Sequence, residues 1–181
     1  MAVLFISETY VKNNSLIDEN VDMRLVLPSI RDAQELRLHP ILGTPFYNDL
    51  KDKITAGTLN ADEINLLDNY VAPSMLQWTL YECSASMLFK YRNKSVSTKN
   101  SENSQPISYQ DLQFLRDEWK NKAEERDQRL INYLCDNSTL FPKYNEASDD
   151  LTPKKTAYQT GFWLGGASST YCWRDEYEYY K

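Results

Sequence analysis

Residues 21–57 read VDMRLVLPSIRDAQELRLHPILGTPFYNDLKDKITAG, and the fold follows from how this run is punctuated. Met23, Leu25, Val26 and Leu27 make a short amphipathic lead into Pro28. Proline suits a first helical position, because the N–H it lacks would have no partner there. Ile30, Ala33 and Leu36 then share one helical face. His39-Pro40 is expected to break this helix, since a residue before proline avoids the α region. After Ile41-Leu42-Gly43, Thr44 is placed to cap a second helix with Pro45 at its first position. Phe46, Leu50 and Ile54 recur along that helix at i, i+4 and i+8, and Gly57 is placed to stop it.

On the N-terminal side, Val3-Leu4-Phe5-Ile6 cannot alternate faces, so it reads as a strand or extended anchor, buried in the bundle or handed to a neighbour. Asn13-Asn14-Ser15 reads as a turn, and residues 18–22 are polar enough to cap the helix that follows. The apolar start is too short to span a membrane and lacks a basic leader, so neither a membrane anchor nor a secretion signal is expected.

On the C-terminal side, Asn60 and Glu63 have the spacing of a capping box before Ile64, Leu67, Tyr70 and Val71. Pro73 is expected to interrupt, with a core helix restarting over 74–92. Met75, Leu76, Leu80, Cys83, Met87 and Leu88 form one face of it, and Trp78, Tyr81 and Phe89 make it apolar almost all round, as in a central helix. Residues 93–107 are polar and nearly free of apolar side chains, which predicts a mobile loop. Ser108 and Asp111 then open the longest helix, reaching about Asn137. Leu112, Leu115, Trp119, Ala123, Leu130 and Leu134 line one stripe, while KNKAEERDQR in its middle reads as a solvated face with i,i+4 pairs such as Glu118–Lys122.

Beyond residue 137 the helical period stops. The expected division is a helical domain over 1–137 and an extended docking arm over 138–181. The arm carries Phe162, Trp163, Leu164, Tyr171, Trp173, Tyr177, Tyr179 and Tyr180, the candidate partner-interface residues. Gly165-Gly166 could turn a hairpin within it. A terminus so rich in aromatics either docks on a partner or folds back on its own bundle, and the partner reading is preferred. The predicted fold is thus all-α, a bundle of four to five helices with an extended N-terminal segment and an aromatic C-terminal arm.

Thirteen tyrosines and four tryptophans are many for 181 residues, and such rings are favoured at protein–protein interfaces. A formal net charge of −6 argues against a protein that grips phosphates. Cys83, Cys135 and Cys172 are widely spaced, with no C-x-x-C and one histidine, so neither a zinc site nor a disulfide framework is expected. Gly161, Gly165 and Gly166 lack the lysine and context of a phosphate loop. His39 has no nucleophile signature beside it, and the acids at 149–150 and 175–178 do not follow a calcium-loop spacing. No catalytic residue, cofactor or metal is assigned, and an enzyme is the least favoured class.

The pattern of a proline-started helix, then IRDAQ, then P-I-L-G-x-x-x-Y-x-x-L, resembles the head–tail connector (adaptor) proteins of tailed bacteriophages. Pro28, Ile30, Ala33, Gln34, Pro40, Leu42, Gly43, Tyr47 and Leu50 carry the match, which is clearest over residues 21–54. The resemblance implies a non-enzymatic virion protein whose copies close into a ring, often twelvefold, between the portal and the tail or a further neck ring. DNA would pass through its lumen without specific binding, and assembly would take place in the host cytoplasm. The polar segment 93–106 and the aromatic tail depart from the pattern; arms of this kind in short-tailed phages, including the crAss-like group, suggest contact with the portal or another ring. The alternative is a helical adaptor or regulatory protein that binds a protein partner as a monomer or dimer.

Overall fold

Local capping chemistry sets where the helices begin and end. The Ser7 hydroxyl accepts the N–H of Tyr10 and opens α1, Glu8–Asn14, so Asn13 and Asn14 lie in a helix rather than in the expected turn. Asn60 and Glu63 form the full reciprocal capping box, and Ser108 accepts the N–H of Asp111. Gly57 ends its helix in the left-handed region, at φ +68°, where a side chain would be strained.

The computed structural model describes residues 3–17, 20–92, 95–98 and 108–157. Within them, helices α1, α2 (27–42), α3 (Thr44–Ala56), α4 (61–88) and α5 (Tyr109–Asp136) build an all-α bundle. A hairpin of β1 (Phe89–Arg92) and antiparallel β2 (Ser95–Thr98) follows α4, pairing Phe89 with Thr98 and Arg92 with Ser95. The core helix therefore stops at Leu88 rather than at 92, and part of the segment expected to be a loop is strand. The remainder of that segment, 93–94 and 99–107, and the tail beyond 157 lie outside the described residues.

Neither internal proline breaks its helix. In α2 a π turn over Ala33–Leu38 precedes Pro40, and the N–H of His39 reaches back five residues to the Gln34 carbonyl. In α4 a π turn over Leu67–Val71 precedes Pro73, and the N–H of Ala72 bonds the Leu67 carbonyl in the same way. A wider turn accommodates a ring that would otherwise meet a carbonyl four residues back. The inserted residue also rotates the helix face. Leu36, expected inside, is 63 % exposed, and Leu38 is buried in its place.

The main core gathers Ile30, Leu42, Phe46, Tyr47, Leu50, Leu66, Val71, Met75, Leu130 and Leu134. Each such side chain contributes about 1.5–3 kcal/mol on burial. Phe141 and Tyr144 join the same core, their rings 5.6 and 6.2 Å from that of Phe46. Residues 141–157 thus fold back onto the bundle. The expected boundary at 137 falls inside one packed unit, because two buried aromatics follow it. Ser74 meets Asp127 and Tyr81 meets Arg116, so α4 and α5 run antiparallel, with α4 also packed on α2. Cys83 is a free, buried thiol, its titration pushed up to about 11 chiefly by burial. Among the described residues, no helix is long and apolar enough to cross a membrane.

Candidate functional site

Four of the residues that carry the sequence pattern, Gln34, Pro40, Gly43 and Tyr47, converge on the corner between α2 and α3. Gln34 is buried there, and its amide works like one rung of a sheet. Its Nε2 donates to the Val3 carbonyl at 2.9 Å and to the Tyr47 oxygen at 2.9 Å, while its Oε1 accepts the N–H of Phe5 at 2.9 Å. The N-terminal strap, residues 3–6, is thereby fixed by a side chain instead of a strand partner. Tyr47 donates in turn to Glu35 Oε1 at 2.7 Å. Burial first, then the adjacent carboxylate of Glu35, pushes the phenol well above its usual range, so it stays protonated as a donor.

The chain returning from α5 is fixed at the same corner. The N–H of Thr44 donates to the Leu151 carbonyl, and that of Lys154 to the Pro40 carbonyl, both at 2.9 Å. Gly43, at φ +74°, packs against Pro153, whose ring lies 2.7 Å from where a Cβ would stand. Both the backbone conformation and the space demand glycine. The N-cap position of α3 is thus Gly43, with no side-chain cap, and Thr44 is not the cap expected of it. Its hydroxyl instead donates to Asp150 Oδ2 at 2.8 Å and accepts the N–H of Leu151 at 3.3 Å.

His39 Nε2 lies 3.0 Å from Thr44 Oγ1, and Nδ1 lies 3.7 Å from Glu35 Oε2. A hydroxyl, an imidazole and a carboxylate in line have the outline of a nucleophilic triad. The proton inventory runs the other way. The single Thr44 hydroxyl proton goes to Asp150 Oδ2, so His39 must donate to Thr44. A base that donates to its nucleophile does not activate it. The His39 ring also stacks on Tyr47 at 4.2 Å, and the Phe5 ring lies tilted 5.4 Å from Tyr47. The arrangement is a clamp on two chain segments.

A second polar cluster lies between α2, α4 and α5. Asp127, expected on a solvated face, is buried, with Ser74 and Trp78 Nε1 (2.8 Å) donating to its two oxygens. The Arg37 guanidinium lies 4.2 Å over the Trp78 ring and 3.2 Å from Glu82. Arg116 lies 4.1 Å over Tyr81 and donates to Ser84 Oγ at 2.7 Å. Burial raises the Asp127 carboxyl to about 6, against the opposing pull of Ser74, Trp78 and Arg37. Ala33, Trp78 and Ala123 form a small apolar cluster beside it.

Gln34, Pro40, Gly43 and Tyr47 therefore meet at the corner, Ile30, Leu42 and Leu50 fill the main core, Ala33 sits in the second cluster, and Pro28 starts α2. Phe162, Trp163, Leu164, Tyr171, Trp173, Tyr177, Tyr179 and Tyr180 lie outside the described residues. The participants that sequence reasoning missed are Thr44, Asp150, Glu35 and Asp127. Only Glu35 had a local signal, its i,i+4 spacing from His39. Among the described residues, no group of three or more His, Cys, Asp or Glu is placed to hold a metal. No curated protein and no solved structure matches the chain. A family model does match, across residues 38–150, which include His39, Pro40, Gly43, Thr44, Tyr47 and Asp150 of the corner but not Gln34, Glu35 or residues 151–157; the chain belongs to DUF6712, a family of unknown function.

Proposed function

We propose that the protein is a structural virion component, a head–tail connector whose copies form a ring at the portal vertex, join capsid to tail and extend the DNA channel. The observation that carries this reading is the use made of the resembling residues. Pro28, Ile30, Leu42, Gly43, Tyr47 and Leu50 serve helix starts, core and clamp, so the shared pattern is an architectural one. The all-helical bundle fits the same reading. A ring needs a heterologous interface, in which one face of each copy meets a different face of the next. The long helix α5, about 42 Å for its 28 residues, and the aromatic segment after 157 are the parts suited to reach a neighbour, the portal or a further ring. With a formal charge of −6, a ring whose acids face the lumen would repel the duplex and keep it from sticking. Its place would be the virion neck, after assembly in the host cytoplasm, with neither cofactor nor enzymatic activity required.

Native mass spectrometry and light scattering, on the protein alone and mixed with portal, test the proposal. A closed high-order ring, twelvefold in the simplest case, or a monomer that becomes one on portal, is the expected result. A protein that ignores portal and instead binds a soluble partner as monomer or dimer would sink it in favour of the helical adaptor.

A further inference from the structure

We infer that the two chain ends are docked cooperatively, through a relay of side chains that crosses the α2–α3 corner. The N-terminal strap enters the relay at Gln34, which holds the Val3 carbonyl and the Phe5 N–H. Gln34 passes to the Tyr47 hydroxyl and Tyr47 to Glu35, at 2.9 and 2.7 Å. Glu35 faces His39 Nδ1 at 3.7 Å, and His39 Nε2 reaches Thr44 at 3.0 Å. Thr44 closes on Asp150 and Leu151, the start of the returning segment. A second route runs in parallel through rings, Phe5 on Tyr47 and Tyr47 on His39.

The hydrogen bonds of the relay are interrupted only between Glu35 and His39, 3.7 Å apart, and there the stack of His39 on Tyr47 carries the connection, so its middle leaves little slack. Gln34 and Tyr47 are both buried, so their polar atoms have no solvent to fall back on when a partner leaves. Undocking the strap strips Gln34 of two of its three bonds and frees its amide to rotate, which withdraws the donor that orients the Tyr47 hydroxyl. Tyr47 in turn fixes Glu35 and, by stacking, the His39 ring that donates to Thr44. Loss of the Asp150 bond runs the same sequence backwards. Coupling of this kind is reciprocal by linkage: whatever one end contributes to the docking of the other is returned in equal measure. The property belongs to the single chain and stands apart from the ring reading. Within a ring, it would mean that a neighbour displacing the strap also loosens the chain that leads to residues 158–181.

Native-state hydrogen exchange, followed by NMR on the full chain, reads both ends at once. The reporters are the Phe5 amide at one end and the Leu151 and Lys154 amides at the other; Thr58, bonded to the Lys53 carbonyl, is a control outside the relay. Asp150 is exposed, so Asp150→Ala keeps the fold; it should speed exchange at Phe5 as well as at Leu151, by about three- to tenfold, the range of one net hydrogen bond. Tyr47→Phe keeps the ring stack and removes only the linking hydroxyl, and should speed both ends with Thr58 unchanged. The inference is overturned if each variant speeds only the end it touches, or if Tyr47→Phe leaves both ends unchanged.

Discussion

The α2–α3 corner, which runs from buried Gln34 and Tyr47 out to exposed Glu35 and Asp150, and the buried Asp127 cluster do opposite things with polarity. At the corner, an amide, a phenol and a hydroxyl bridge to each other and to carboxylates at the surface, and the bonds they make join segments far apart in the chain, Thr44 to Asp150 and Gln34 to Phe5. In the Asp127 cluster a carboxylate is withdrawn from water between three helices, and its two donors do not restore what burial removes, so its titration stays raised at about 6. The corner stabilises by closing the chain on itself. The cluster fixes how α4 meets α5, and at neutral pH it does so against a desolvation penalty.

The sharpest way to break the comparison is at the corner. Gly43→Ala places a Cβ against Pro153 in a backbone region nearly reserved for glycine. It should destabilise the fold by about 3 kcal/mol, combining backbone strain and displacement of the returning segment. Denaturant unfolding checks the size, and a loss below about 1 kcal/mol would mean that the segment simply moves aside.

Next in size is the pH dependence of the other cluster. The Asp127 carboxyl titrates near 6 when folded and near the ordinary aspartate value of 3.8 when unfolded, so the folded state holds the extra proton between those values. Its contribution is therefore fully present below 3.8 and is lost as pH rises through 6. Stability should rise by about 2 kcal/mol on going from about pH 7.5 to about pH 4.5 from this group alone. Asp127→Asn should flatten that slope. Equal slopes in the two proteins, measured by urea unfolding across that range, would show that the carboxylate is satisfied at neutral pH.

Smallest of all is the surface of the same helix. Glu118 and Lys122 pair on α5, about half exposed. Lys122→Ala should change stability by less than about 0.5 kcal/mol, and less still in high salt. A thermal shift no larger than that of a neutral control would place the weight of α5 in its buried carboxylate rather than in its many surface charges.

What was legible in the sequence follows the range of the interactions. The capping box at Asn60 and Glu63, the stop at Gly57, the start at Ser108 and the Phe46–Leu50 face are each decided within one or two turns, and all are present. The two π turns were not legible, because proline alone says that the α ladder fails and not that a wider turn repairs it. The helical spacing places Leu36 on the wrong face for that reason. Asp127 sat in a run of charges that looked solvated, and only its meeting with Ser74 and Trp78, some fifty residues earlier, puts it inside. Thr44 and Asp150 are 106 residues apart, so no spacing could join them. Phe141 and Tyr144 were given to an arm because nothing local distinguishes an aromatic that returns from one that leaves.

Gln34 holds the N-terminal strap by main-chain atoms alone, the carbonyl of Val3 and the N–H of Phe5. An amide that grips in this way is indifferent to the letters of the peptide it holds and attentive only to its being extended and in register. Val3 is thus free to vary without loosening the grip, while Leu4 answers to the core it packs against, and a single insertion between Val3 and Phe5 would slide both atoms out of reach. A proline at position 5 would do the same damage without changing the length, since it removes the one N–H that Gln34 accepts.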